Sequence, residues 1–393
     1  MDALIHIKRF SLAHTILLLV FLHWAGASHA LPAATTAQTL QVGPERVLTT
    51  PSMAARLARS GDTIEIDAGV YANDYVTWAQ DDITIRGVGG LAHLKSSGNI
   101  SNGKAIWIVA GKNALIENIE FSGAKVQDSN GAGIRHESGN LTLRNTYFHH
   151  NEFSILTGGD REASLVIEDS RFFRQKRAGR FSHGLYIGEL GRFSITGSHI
   201  MGTDRGHQIK SRARENHIRY NRIEDIPGGN SSRLVDLPNC GLSFVVGNDL
   251  HQADSTQNVD AIGYGAEGCD DRSAQERQLF VVNNTFVNEA WNGALVRNHA
   301  GGDVSVFNNL TYGRGRFLLG KGEKANNYFV NLSHRRPGSW LPPRKAKAVD
   351  GGRELDSHGG TALLPDRVFV LPVGTAARKV HGRLDAGSQE LPQ

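Results

Sequence analysis

The chain has 393 residues, 39% of them hydrophobic and 21% charged, with a formal net charge of +4; this is ordinary for a soluble globular protein and excludes a disordered or collagen-like chain. The length admits two domains or one long single core. Forty-five glycines beside only 2 cysteines point to many short strands and tight turns rather than to a disulfide scaffold.

In chain order, Lys8 and Arg9 precede the apolar run Ile16-Leu17-Leu18-Leu19-Val20-Phe21-Leu22, and Ser28-His29-Ala30 offers small residues for cleavage. The run is shorter than the roughly 20 residues a bilayer span needs. Residues 1–30 are therefore expected to be a signal peptide, residues 31–50 a linker, and the mature protein periplasmic or secreted, with no membrane insertion after cleavage. Pro51–Arg59 has the pattern of a short amphipathic helix with Ser52 near its start, followed by a strand at Thr63–Ile66. Such a helix would cover the open end of a stack of strands.

From residue 115 a phrase recurs in which alternating apolar residues meet an Asn, Asp or Gly. Its turn positions are Asn118, Asn145, Asp169, Gly197, Asn221, Asn248, Asn284 and Asn309. A period near two dozen residues is the mark of a β-solenoid with three short strands per coil. Period-two alternation excludes a helical repeat, and propeller blades run to about 40 residues. Asn tolerates the left-handed turn conformation, and stacked Asn side chains can bond one another along the axis. The solenoid is expected over residues 51–335, with a Pro- and Arg-rich tail at 336–393 packing on it. Cys240 and Cys269 are 29 residues apart, which would place them on neighbouring coils and leaves a bridge open.

The capping helix followed by Gly61-Asp62-Thr63-Ile64-Glu65-Ile66-Asp67-Ala68-Gly69-Val70-Tyr71, the phased coils and the closing Asp385-Ala386-Gly387-Ser388-Gln389-Glu390 resemble the bacterial pectate-lyase-like superfamily. The resemblance covers roughly residues 40–390. It implies an all-β, right-handed parallel β-helix and leaves the reaction open, because that superfamily includes lyases, hydrolases, epimerases, esterases and non-catalytic members.

A second strand series lies between the turn phrases, and its outward residues are the candidates for chemistry. His183 and His207, like Tyr186 and Lys210, are one repeat apart, and Asp236 and Asp260 follow at similar intervals. One coil per step predicts a column of Tyr186, Lys210, Asp236 and Asp260, with about 4.8 Å between neighbours. Arg212, two residues beyond Lys210, shares its side of the strand. The column suits β-elimination on a uronic acid, which needs a base for the C5 proton, cations for the carboxylate and an acid for the leaving oxygen. Lys210 is the expected base, tuned by Arg212, Arg214 and His207, with Tyr186 or Arg212 as the acid. The remaining expected substrate contacts are His183, Lys176, Arg177, Arg180, Asp236, Asp260 and Arg297. Gly263–Gly268 reads as a turn, since it lacks the lysine and helix of a phosphate loop.

The segment Ile209-Lys210-Ser211 followed by Ile218-Arg219-Tyr220-Asn221-Arg222-Ile223 is similar to the catalytic coil of the alginate lyase and chondroitinase B family. That resemblance implies that Lys210 is the base. The family's catalytic arginine is not matched, because Asp236-Leu237-Pro238-Asn239-Cys240-Gly241 stands in its place. Calcium is also implied, with no ligand assigned in this chain. Twelve Lys and Arg lie between Arg171 and Arg222 against Glu189, Asp204 and Glu215, a field suited to an acidic polysaccharide rather than nucleic acid. The leading expectation is a monomeric polysaccharide lyase. The alternatives are a uronate C5-epimerase, an inverting glycoside hydrolase using Asp236 and Asp260, and a non-catalytic module of exopolysaccharide export.

Overall fold

A computed structural model describes residues 36–176 and 181–392; the expected signal peptide, Arg177 and Arg180 lie outside the described residues. Short parallel strands wind into a β-helix. One coil runs Leu185–Ile187, Arg192–Thr196 and His199–Met201. The next runs Ile209–Ser211, Glu215–Arg219 and Arg222–Glu224, each strand pairing in parallel with its predecessor. Alternation along each strand decides the interior. In Arg192–Thr196, Phe193 and Ile195 are fully buried while Arg192, Ser194 and Thr196 face outward. Phe121, Phe148 and Phe172 stack through three coils at centroid separations of 4.9 and 5.2 Å, each pair adding about 0.5–1.5 kcal/mol beyond simple burial.

The turns hold the coils in register by two separate devices. Asn118, Asn145, Asp169, Gly197, Tyr220, Gly247, Asn283 and Asn308 adopt positive φ. From Asn145 onward, the residue after each forms a buried ladder. Thr146 N donates to Ser170 Oγ, Ser170 N to Ser198 Oγ, and Ser198 N to Asn221 Oδ1. Asn221, Asn248, Asn284, Asn309 and Asn327 continue it, each backbone N–H donating 2.9 Å to the Oδ1 of the next. The sequence phasing merges these two positions. From Tyr220 onward the left-handed residue is one place earlier than the Asn that builds the ladder.

The helix spans Pro51–Leu57, with Thr50 as its N-cap. Its Ala55 and Ala58 carbonyls accept from Gln80 Nε2, which ties it over the first coil. The fold begins before the helix: Thr39–Val42, read from the sequence as linker, is a strand parallel to Thr63–Ala72. At the other end the tail includes the antiparallel hairpin Arg367–Phe369 and Thr375–Ala377. It is bolted to the coils where Ser388 Oγ donates 2.6 Å to Asp249 Oδ1.

Candidate functional site

One sheet collects the chemistry. Its ten strands include Phe153–Thr157, Leu185–Ile187, Ile209–Ser211, Val235–Leu237, Asp260–Tyr264 and Ala294–Asn298. Register aligns Tyr186, Lys210, Asp236, Gly263 and Arg297. The first three members of the expected column therefore stand together, and Asp260 does not join them. The coil carrying it is three residues longer before the strand, so Asp260 sits at the strand's start and pairs with Ala294. It is drawn into the site sideways, through Arg297 Nη1 at 3.2 Å from Asp260 Oδ2.

Lys210 Nζ donates 2.8 Å to Glu267 Oε1 and lies 3.7 Å from Asp236 Oδ2. Arg212 reaches both sides, donating 2.7 Å to Tyr186 Oη and 2.7 Å to Glu267 Oε2. The lysine's nearest charged partners are thus carboxylates. Arg214, expected beside it, instead pairs with Glu276. Asp236 is 2% exposed; burial raises its carboxyl above the ordinary range, opposed by Arg233 and Lys210. Arg233 Nη1 donates to it at 3.0 Å, and Arg233 Nη2 donates to His299 Nε2 at 3.2 Å. A Cβ on Gly263 would come within 2.7 Å of Arg233 Cδ and 2.8 Å of Asp236 Oδ1, so only glycine lets the guanidinium lie across this coil.

The histidines form a backbone-locked pair. His183 and His207 stack at 5.1 Å, and His183 Nδ1 accepts from His207 N. His207 Nδ1 accepts from Arg233 N at 3.1 Å, which leaves its proton on Nε2, 3.4 Å from Asp236 Oδ2. Burial, then Lys210 and Arg233, push the His207 pKa down to about 3. An unfolded chain would titrate this ring near 6.5. Between those values the unfolded state binds the extra proton, so stability rises with pH through the window and is complete above it. His207→Asn keeps an acceptor for Arg233 N and removes the titration. Urea unfolding of this variant is expected to lose on the order of 3–5 kcal/mol of pH dependence between ~pH 3 and ~6.5. An unchanged slope would show that His207 titrates normally.

Four participants were missed in the sequence: Arg233, Glu267, Arg272 and His299. Arg233 follows His207 by about one repeat, the spacing that found Lys210 and Asp236, so it was findable. Glu267 was not, because it comes from the turn after Asp260–Tyr264. That turn is fastened by Glu267 N to Pro238 O at 2.8 Å and by the Cys240–Cys269 disulfide, with Cα atoms 5.5 Å apart. Arg272 is buried and donates 2.7 Å to the Arg212 carbonyl, holding that strand end. Lys176 is elsewhere, lining a cleft of about 630 Å³ with Lys125, Arg174 and Asp204 on the turns. The basic run also divides around the coil rather than forming one field. Arg171 lies over Tyr147, Arg222 pairs with Asp249, and Arg192 neighbours Glu215, all off this sheet.

The calcium implied by the resemblance does not fit these donors. Calcium takes six to eight oxygens, whereas Asp236, Asp260 and Glu267 are each engaged by Lys or Arg. Among the described residues the carboxylates of this face do not converge as a metal-ligand group.

Residues 81–259 match the family model described as the right handed beta helix region. The pectate lyase Pel9A is similar across 91% of this chain and 97% of its own, at TM-score 0.53 and 13% identity. A lacto-N-biosidase from Eubacterium ramulus is similar over 75% of this chain and 68% of its own, at TM-score 0.49 and 12% identity. An alginate lyase from Paenibacillus sp. is similar over 74% and 99%, at TM-score 0.44 and 15% identity. No curated protein matches the sequence. The chain is a right-handed parallel β-helix of pectate-lyase-like fold, with a compact charged site on one sheet. At 13% identity the likeness to Pel9A is one of fold and leaves the reaction to the site.

Proposed function

We propose that the protein is a polysaccharide lyase that cleaves an acidic, uronate-containing polymer outside the cytoplasm. The observation that carries this reading is the in-register pair Tyr186 and Lys210, linked through Arg212 and Glu267. Once its ammonium has released a proton to solvent, the neutral Lys210 amine takes the C5 proton, the electron pair forms the C4–C5 double bond, and the C4–oxygen bond breaks. Tyr186 accepts a hydrogen bond from Arg212, so its own hydroxyl proton is directed to the leaving oxygen. Arg212 and Arg297 meet the negative charge that gathers on the uronate. Exposed Phe181 and Trp291 stand on turns that lead into the same sheet, where they offer flat apolar surface to sugar rings. The disulfide suits an oxidising compartment, in keeping with the N-terminal export pattern of the sequence.

The deciding experiment follows absorbance near ~235 nm, the signature of an unsaturated uronate left by base-driven elimination. The protein is incubated with alginate, polygalacturonate, glucuronan and glycosaminoglycans. A rise on one polymer is expected. New reducing ends without absorbance would favour hydrolysis through Asp236 and Asp260. Salt-sensitive binding with no new ends and no change at C5 would leave a non-catalytic module, and C5 inversion alone an epimerase.

A further inference from the structure

A second constellation lies on a different sheet, away from Lys210. His93 is on the strand Thr84–Lys95, Glu120 on Ile119–Ser122 and His149 on Tyr147–His149, three adjacent strands in successive coils. His93 Nε2 is 3.4 Å from Glu120 Oε1, and His149 Nε2 is 2.8 Å from the same oxygen. One ligand atom from each residue lies within 4.8 Å of the others, the one such group of His, Cys, Asp and Glu among the described residues. All three side chains are only partly exposed, at 17–19%. From this geometry we infer a binding site for a divalent transition ion of the zinc type, with His93, Glu120 and His149 as ligands.

The dimensions suit that ion. Bonds of about 2.1 Å in tetrahedral geometry separate ligand atoms by about 3.4 Å. The His93–Glu120 distance already has this value, and the His149–Glu120 pair needs to open by about half an ångström as the ion replaces the proton between them. Two imidazoles and one carboxylate select zinc, cobalt or nickel over calcium or magnesium, which require more oxygens. A single carboxylate also gives modest negative charge, so the selection rests on the imidazoles. An outer contact orients the His149 ring. His149 Nδ1 is 2.8 Å from His150 Nδ1, and the tautomer with the proton on His149 Nδ1 leaves Nε2 as the lone-pair donor. His93 Nε2 is also 2.7 Å from Ser122 Oγ, a hydroxyl that can turn its proton away when the ring binds metal. Three protein ligands leave a fourth position for water or an anion. His150 lines the cleft that also contains Lys125, Arg174 and Lys176, so cations border the metal on that side.

The sequence does not announce this site, because its ligands are separated by 27 and then 29 residues rather than grouped in a short motif. Only the coil pitch brings them together. The ion would clamp three early coils, in the half of the stack where the buried Asn ladder is absent.

The test uses untagged full-length protein, stripped with chelator, incubated with zinc chloride and desalted before elemental analysis. About one equivalent of zinc is expected to remain on the wild type, and at least a tenfold weaker affinity on Glu120→Gln. The His93→Ala/His149→Ala double variant should retain none, with an unchanged circular dichroism spectrum. Cobalt should give visible absorption bands of a low-coordinate site in the wild type alone. Retention of less than about a fifth of an equivalent, or equal retention by the double variant, overturns the assignment. If the double variant does not fold, Glu120→Gln decides, since it preserves shape and alters only the charge of one ligand.

Discussion

Lys210→Ala is expected to lower turnover of the acidic polymer by ~10²–10⁴-fold, the range for removal of a positioned general base, while binding weakens far less. The substitution should not unfold the site. Asp236 keeps Arg233 at 3.0 Å and Glu267 keeps Arg212 at 2.7 Å, so neither carboxylate is stranded. Lys210→Arg sharpens the test. Arginine retains the positive charge but cannot act as a base at neutral pH. Arginine should therefore be nearly as inactive as alanine. Wild-type-like turnover in the arginine variant would mean that Lys210 only neutralises charge, and that the proton leaves by another route.

The largest stability effect is expected at Asn284→Ala. Asn284 Oδ1 accepts from Asn248 N and Nδ2, while its own Nδ2 donates to the Val245 carbonyl and Asn309 Oδ1. These groups are fully buried, so no water replaces the lost bonds. At about 1–3 kcal/mol for each unsatisfied group, the loss should be on the order of 3–5 kcal/mol. Asn140 makes a similar side-chain ladder in the open, donating to Asn113 Oδ1 at 3.0 Å. Water can take its place there, so Asn140→Ala should cost about 1 kcal/mol or less. Urea unfolding of both variants measures the contrast. Equal losses would mean that burial does not set the strength of the ladder.

That contrast also explains what could be read from the chain alone. Strand alternation and a two-dozen-residue period are local signals, so the coils, the capping helix and the sheet bearing Lys210 were all legible. The length of each turn was less so. Asp236 to Gly263 spans one coil, and counting to Asp260 instead stopped three residues short, because an insertion at a turn shifts register without disturbing the strand pattern. The same limit hid Glu267, whose place depends on a turn held by a disulfide. The sequence identified where cations were dense. It could not show which sheet each would face, and so the basic run read as one field when Arg171, Arg192 and Arg222 belong elsewhere. His93, Glu120 and His149 are the extreme case, unremarkable residues until the stack brings three coils together.

Glu267 has a further consequence. Its carboxylate spans Lys210 and Arg212 as a substrate carboxylate would, and the disulfide-fastened turn keeps it there at a high effective concentration. Any uronate that engages both cations must therefore exchange with this resident anion. An isolated sugar acid makes that exchange with one charge, whereas a long polyanion makes it with neighbouring charges held at Arg297 and beyond. If the protein acts on an acidic polymer as proposed, the turn would act as a threshold, making it answer charge density along a chain more strongly than the presence of any single acidic sugar.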